Sequence, residues 1–160
     1  MILVLVGTQP HNFIRLLKSI DKLSEELAIK EEIIVQLGSN NYQFNNKKIK
    51  VYEYLPNYNQ LLNEAQLVIC HGGVGIIMEA LEKNKKIITI PRQQALKEHV
   101  DDHQQEICQK FSKEKYLKTC NTYEELKSTF QERENWELKK YHFNNQQFNK
   151  NLNKLLDNLE

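Results

Sequence analysis

The sequence is poor in cysteine, the residue that staples many small secreted domains. Its 160 residues include only Cys70, Cys108 and Cys120, which are widely spaced and form no Cys-x-x-Cys pair. This pattern argues against a disulfide scaffold and a zinc ribbon, and it is typical of a reduced intracellular protein with structural thiols. A chain of this length can bury enough apolar surface to fold as one domain without disulfide bonds or a bound metal.

The chain also lacks a surplus of charge and a long apolar run. Its 22 basic and 21 acidic residues give a net charge of +1, so its bulk charge does not indicate nucleic-acid binding. No apolar stretch approaches the roughly 20 residues that span a bilayer. The apolar start, MILVLVGTQP, lacks the features of a signal peptide and predicts a buried strand. We therefore expect a cytoplasmic protein that reaches the membrane face only through a partner.

Short apolar runs alternate with amphipathic stretches along the chain. The runs predict strands at Ile2–Val6, Ile33–Leu37, Ile49–Tyr54, Leu67–Cys70, Ile87–Ile90 and, more weakly, Tyr116–Thr119. Residues at helical spacing predict helices at about Phe13–Leu27, Asn59–Ala65, Val74–Glu82, Glu98–Phe111 and Tyr123–Phe130. This alternation predicts an α/β fold, a Rossmann-like parallel sheet with helices on both faces.

Residues 134–160 differ in composition from the predicted domain of residues 1–133. They are richer in Asn, Gln and Lys, yet they keep apolar residues from Trp136 to Leu159. We expect one or two amphipathic helices here. The pattern leaves open whether these helices pack back on the domain or bind a partner.

Glycine is scarce, with five in the chain, yet three occur within four positions of VICHGGVGIIMEAL. Ligands of parallel sheets bind beyond the carboxyl ends of the strands. Glycine turns there let a ligand approach the backbone, and helix N-termini attract anions. Such turns follow the first and fourth predicted strands, which favours a phosphorylated or nucleotide ligand over turns that only connect. The segments predicted at this edge are Gly7-Thr8-Gln9, Gly38-Ser39-Asn40, Leu55-Pro56-Asn57, His71-Gly72-Gly73-Val74-Gly75 and Pro91-Arg92.

Two common phosphate-binding patterns are missing. The first turn, VGTQPHNF, has one glycine where a dinucleotide fingerprint needs three, and no GxxxxGK[ST] loop occurs. An NAD-dependent oxidoreductase and a P-loop NTPase are therefore disfavoured. Glu79 lies four residues after Gly75, and its carboxylate could complement the helix dipole or accept hydrogen bonds from a ribose diol.

Two further groups of polar residues lie in EHVDDHQQE. His99 and His103 are spaced to share a helix face, which permits a metal site, but no third ligand has diagnostic spacing, so we predict no metal. Gln104 and Gln105 suit sugar hydroxyls, although exposed glutamines usually serve only solubility.

An ordered set of motifs resembles the C-terminal, donor-binding domain of family 28 glycosyltransferases. These motifs are MILVLVGTQPHNF, VQLGSN, YEYLP, AQLVICHGGVGIIMEAL, IPR and EHVDDHQQE. The likeness extends to about Tyr123 and is greatest for single-domain Alg13-like proteins and their bacterial counterparts in polysaccharide synthesis. It implies the donor-binding half of a GT-B glycosyltransferase. The implied reaction is inverting hexosyl transfer from a UDP-sugar without metal or cofactor, because helix dipoles and backbone amides stabilise the leaving diphosphate.

The resemblance also implies partners. A membrane-anchored Alg14-like subunit would bind the lipid-linked sugar acceptor and contribute the catalytic base, so this chain alone would have little activity. The alternative hypothesis is a non-catalytic nucleotide-sugar-binding or scaffold protein.

Donor-binding roles follow from the resemblance, position by position. The loop near the diphosphate is matched by Gly7, Thr8 and Gln9, and the segment beside the uracil by Tyr54 and Leu55. The glycine turn at the diphosphate and sugar is matched by His71, Gly72, Gly73 and Gly75, and the acid that holds the ribose hydroxyls by Glu79. The motif at the sugar hydroxyls is matched by Gln104 and Gln105 with the preceding His103. Ile76 departs from the family's usual Thr or Ser, which removes a hydroxyl that could meet a phosphate oxygen.

Overall fold

The computed structural model describes residues 1–142, in which strands and helices alternate. The strands are β1 (Ile2–Leu5), β2 (Ile33–Gln36), β3 (Lys50–Tyr52), β4 (Leu67–Cys70), β5 (Lys86–Thr89) and β6 (Lys118–Thr119). The α-helices are α1 (Ile14–Glu26), α2 (Tyr58–Glu64), α3 (Val74–Glu82), α4 (His103–Lys113) and α5 (Tyr123–Gln131), and short 3-10 helices cover Gln94–Leu96 and Arg133–Asn135. None of these helices is long and apolar enough to cross a bilayer.

The six strands form one parallel sheet in the order β3-β2-β1-β4-β5-β6. The strand order reverses between β1 and β4, where Leu5 lies opposite Cys70. Because all strands are parallel, their carboxyl ends share one edge of the sheet, which we call the carboxyl rim. The rim between β1 and β4 is the switch point at which ligands bind in such sheets. The predicted Rossmann-like parallel sheet is therefore confirmed.

Each face of the sheet has its own hydrophobic core. The side chains of a strand alternate between faces, so Ile2 and Val4 join one core while Leu3 and Leu5 join the other. The first core includes buried residues of α1 and α5, and the second includes buried residues of α2, α3 and α4. The helices therefore cover both faces of the sheet, and the loops that lead from strands into helices lie at the rim.

The predicted helix from Glu98 to Phe111 is wrong at its start, because α4 begins only at His103. Residues 98–102 form a loop whose position is fixed by the Glu98 carboxylate. Its oxygens accept hydrogen bonds from Arg15 Nε at 3.0 Å, Arg15 Nη2 at 2.8 Å and the backbone N–H of Gln93 at 3.1 Å. The contacts with Arg15, which is 83 positions away, hold the segment away from the helical conformation that its sequence favours.

The first part of the predicted helical tail packs on the domain without forming an α-helix. Residues 136–142 have no regular secondary structure, so the helical prediction is wrong for them. The backbone N–H of Lys139 donates to the Lys115 carbonyl at 2.9 Å, and the Tyr141 ring lies 5.0 Å from that of Tyr116. The prediction for 143–160 lies outside the described residues, and the domain boundary after residue 133 stays a prediction.

Candidate functional site

The carboxyl rim brings the loops after β1 and β4 into direct contact around the ring of His71. Gly7 has a φ of 85°, and a side-chain carbon there would lie 2.8 Å from this ring. A side-chain carbon at Gly73 would lie 2.5 Å from the same ring. Only glycine fits at both positions, so two of the predicted glycines are required by this packing.

His71 is neutral at neutral pH. Its ring is buried, and burial lowers its pKa from 6.5 to about 4. Nδ1 lies 3.3 Å from the Leu5 carbonyl oxygen, which can only accept, so Nδ1 carries the proton in the neutral ring. His71 therefore supplies no positive charge to a bound diphosphate.

The start of α3 is the anion-attracting feature of the rim. Its N-cap residue is Gly73, which has no side chain to cap the first backbone N–H groups. A side chain at Gly75 would meet nothing within 4 Å, so the first turn borders open space. Free amides and the positive end of the helix dipole together suit a phosphate group. Ile76 follows this turn and packs against the second core.

Glu79 lies further along α3 with an exposed carboxylate. Its Oε2 atom accepts a hydrogen bond of 2.6 Å from the hydroxyl of Tyr58, the first residue of α2. The sequence pattern predicted Glu79 as a site residue but not Tyr58. The only available signal was its place directly after Leu55-Pro56-Asn57, a segment predicted at the rim.

The other predicted residues near β1 and β3 differ in accessibility. Thr8 and Gln9 are exposed, and the Gln9 carbonyl accepts a 3.0 Å hydrogen bond from the Ser39 hydroxyl. Tyr54 is 54% exposed, whereas Leu55 is buried in the second core. Tyr54 can therefore offer a flat ring surface to a base, and Leu55 can contribute only by shaping the backbone behind it.

The residues predicted to contact the donor sugar lie at the start of α4. The side-chain oxygen of Gln104, which is buried, accepts a hydrogen bond of 3.2 Å from the Arg92 backbone N–H. Gln105 donates from Nε2 to Asp102 at 2.6 Å, and His103 lies within 3.8 Å of Asp101. The Gln104 oxygen thus already has an internal partner, while Gln105 and His103 are partly exposed.

The predicted pairing of His99 and His103 on one helix face is wrong, because His99 lies in the loop before α4. Its Nδ1 lies 2.9 Å from the Asp101 carboxylate. Within residues 1–142, no group of three or more His, Cys, Asp or Glu side chains is arranged to hold a metal ion.

Arg92 links two loops of the rim by hydrogen bonds, a role that the sequence pattern did not predict. Its side chain is fully buried after β5. Nη1 donates to the carbonyls of His11 at 2.7 Å and Glu98 at 3.2 Å, and Nη2 donates to the carbonyl of Val6 at 2.8 Å. One guanidinium therefore fixes the loops after β1 and β5 on either side of the β4 loop.

A separate groove lies away from these residues. It has a volume of about 440 Å³ and lies beside β6, where its lining includes Lys115, Lys118, Trp136 and Leu138. None of the predicted site residues lines it. The candidate site is thus an open surface at the rim rather than this groove.

Sequence comparison identifies the family of the chain. The model of the glycosyltransferase family 28 C-terminal domain matches residues 1–159. The chain is 37% identical over 101 residues to the UDP-N-acetylglucosamine transferase subunit ALG13 of Kluyveromyces lactis, a match that covers 62% of this chain and 47% of that protein. The chain spans about half or less of the length of the curated relatives it matches.

Structural comparison gives the same fold. The glycotransferase of kitacinnamycin matches with a TM-score of 0.63 at 15% identity, over 82% of this chain and 34% of that one. An NMR solution structure of ALG13 matches with a TM-score of 0.59 at 20% identity, over 87% of both chains. These likenesses show a shared fold, and the family match covers nearly every residue of the sequence. The chain therefore belongs to the glycosyltransferase family 28 C-terminal domain family.

Proposed function

We propose that the chain binds a UDP-sugar at the carboxyl rim and serves as the donor-binding subunit of a hexosyltransferase. The observation that carries this proposal is the arrangement between β1 and β4. There, a glycine turn packs around a neutral histidine, an uncapped helix start faces open space, and an exposed glutamate follows on the same helix. The diphosphate would bind at the helix start and the ribose hydroxyls at Glu79.

Family membership and the K. lactis relative support this assignment. That relative is named a UDP-N-acetylglucosamine transferase subunit, so UDP-N-acetylglucosamine is the first donor to test. Inverting transfer without metal or cofactor is consistent with the proposed site, because backbone amides and the α3 dipole can stabilise the leaving diphosphate. EDTA should leave the activity unchanged if this is correct.

We further propose that the chain works on the cytoplasmic membrane face with a membrane-anchored, Alg14-like subunit that binds a lipid-linked sugar acceptor. The open rim supports a second subunit, because an exposed half-site leaves a bound donor accessible to water. The purified chain should show no transfer, and co-expression with such a subunit should yield it. Transfer to the lipid-linked acceptor by the isolated chain would contradict the two-subunit proposal.

The alternative is a nucleotide-sugar-binding protein without catalytic function, and Ile76 is the observation that favours it. In this case UDP would bind, but no partner would restore transfer. Titration with UDP and NAD separates both proposals from an oxidoreductase. UDP should saturate the site in preference to NAD, and Glu79→Ala should weaken UDP binding.

A further inference from the structure

Tyr58 is placed to control the carboxylate of Glu79. It begins α2 directly after the rim segment that follows β3, and its ring packs against the second core. The phenol hydroxyl donates a 2.6 Å hydrogen bond to Glu79 Oε2. This bond joins α2 to α3 across the rim, between residues that are 21 positions apart in the sequence.

The bond restricts a side chain that would otherwise be free to move. An exposed glutamate has several rotamers of similar energy, and ordering it costs up to about 2 kcal/mol of conformational entropy. A tyrosine ring has only two side-chain torsions, and packing holds this one in place. Burial and the nearby Glu79 carboxylate raise the pKa of Tyr58 above its usual value, so the hydroxyl keeps its proton at neutral pH.

The hydrogen bond also leaves part of the carboxylate available. An ionised carboxylate has about four acceptor sites, and Tyr58 occupies one of those on Oε2. The sites on Oε1 and the second site on Oε2 can accept hydrogen bonds from two neighbouring hydroxyls, as on a ribose. A ligand without one of these hydroxyls would leave an oriented acceptor without its donor.

The geometry points to Tyr58 as a positioning residue that orients Glu79 and thereby gives the site its preference for ribonucleoside over 2′-deoxyribonucleoside diphosphates. This inference rests on the proposed function, since it deepens the role of the same site. Because Tyr58 acts through Glu79, it should strengthen binding only of ligands that have the hydroxyl whose hydrogen bond Glu79 accepts.

The test compares UDP with 2′-deoxy-UDP on the full chain by isothermal titration calorimetry. The variants are Tyr58→Phe and Glu79→Ala, with Tyr123→Phe as the matched control. Tyr123 donates a 2.8 Å hydrogen bond to Glu26, so the control also removes a phenol–carboxylate bond, but one beside the first core, on the other face of the sheet. Urea unfolding of each variant verifies that the fold is retained.

We expect Tyr58→Phe to weaken UDP binding about fivefold, in the range for losing one ordinary hydrogen bond, because Tyr58 acts on the ligand only through Glu79. Binding of 2′-deoxy-UDP should change less than about twofold, so the preference for the ribonucleotide falls. Glu79→Ala should reduce the preference further, and Tyr123→Phe should leave it unchanged. Equal weakening of both nucleotides by Tyr58→Phe, or no effect on either, would overturn the inference.

The same data separate failure of this inference from failure of the proposed function. If Glu79→Ala reduces the preference for UDP but Tyr58→Phe does not, the ribose contact holds and the role of Tyr58 is wrong. If the wild-type chain binds neither nucleotide, or Glu79→Ala leaves the preference intact, the assignment of Glu79 as the ribose ligand fails, and the inference with it.

Discussion

His71 shapes the proposed phosphate site by its packing and not by its charge. The ring fills the space between two glycines, and its burial keeps it neutral. A charged histidine here would require the folded protein to bury an unpaired charge. The ring therefore sets the distance between the loops after β1 and β4 by packing between them.

The lowered pKa of His71 makes folding stability depend on pH. The unfolded chain accepts this proton near pH 6.5, while the folded protein resists it until about pH 4. The folded protein therefore has its full stability with respect to this group above pH 6.5. The free energy of unfolding then falls by on the order of 3 kcal/mol as the pH falls towards 4. We expect His71→Asn to remove this part of the pH dependence, measured by urea unfolding at pH 7, 5.5 and 4.5.

Asparagine suits this comparison because its amide can still donate to the Leu5 carbonyl but does not titrate. The exposed His142 gives the control, since His142→Asn should keep the slope of the wild-type protein. A His71→Asn variant that loses stability with falling pH as steeply as the wild type would show that this residue is not the cause.

Ile76 tests whether the departure from the family pattern affects donor binding. Its side chain packs against the second core, directly after the open first turn of α3. Ile76→Thr would restore a hydroxyl near the proposed phosphate position at the cost of some core packing, about 1 kcal/mol in unfolding free energy. We expect UDP to bind about three- to tenfold more tightly, as measured by calorimetry. Ile76→Val, which has no hydroxyl, should not bind UDP more tightly, and equal gains in both variants would contradict the explanation.

At the scale of elements, tertiary contacts set the geometry of the rim more than local sequence does. The strands β1, β2 and β4 could be predicted because each is a largely apolar run whose residues are all buried. The start of α4 could not, because Glu98 binds Arg15, which is 83 positions away. Likewise, nothing local to Tyr58 indicates that its hydroxyl reaches Glu79. Sequence patterns thus predicted the sheet and the glycine turn, but not the side-chain contacts that join the loops.

Among the contacts that join elements, the hydrogen bonds of Arg92 should contribute most to the free energy of unfolding. Arg92→Met would remove the donor from the buried carbonyls of Val6 and Glu98 and from the partly buried carbonyl of His11, and unsatisfied buried acceptors cost about 1–3 kcal/mol each. We expect an unfolding free energy at least about 3 kcal/mol lower, measured by urea denaturation. Lys110→Met on the exposed side of α4 is the control and should change it by less than about 0.5 kcal/mol. A loss below about 1 kcal/mol for Arg92→Met would contradict the proposed role.

At the scale of the whole molecule, the proposed function assigns this chain one half of a two-subunit site. The rim carries the predicted donor-binding residues on an open surface, and the groove beside β6 lies elsewhere. The proposed donor site lies at the switch point between β1 and β4, where ligands of such sheets bind. The proposal assigns binding of the acceptor to the second subunit, and no acceptor site was predicted from this sequence.

The most direct test of the central claim is an NMR titration of the full chain with UDP, which reports binding residue by residue. We expect saturable shifts at the backbone amides of Gly7, Gly73, Gly75 and Glu79. The Lys115 and Trp136 amides beside the separate groove should show no comparable shifts. No saturable shift at millimolar UDP, or shifts centred on Lys115 and Trp136, would contradict a donor site at the carboxyl rim.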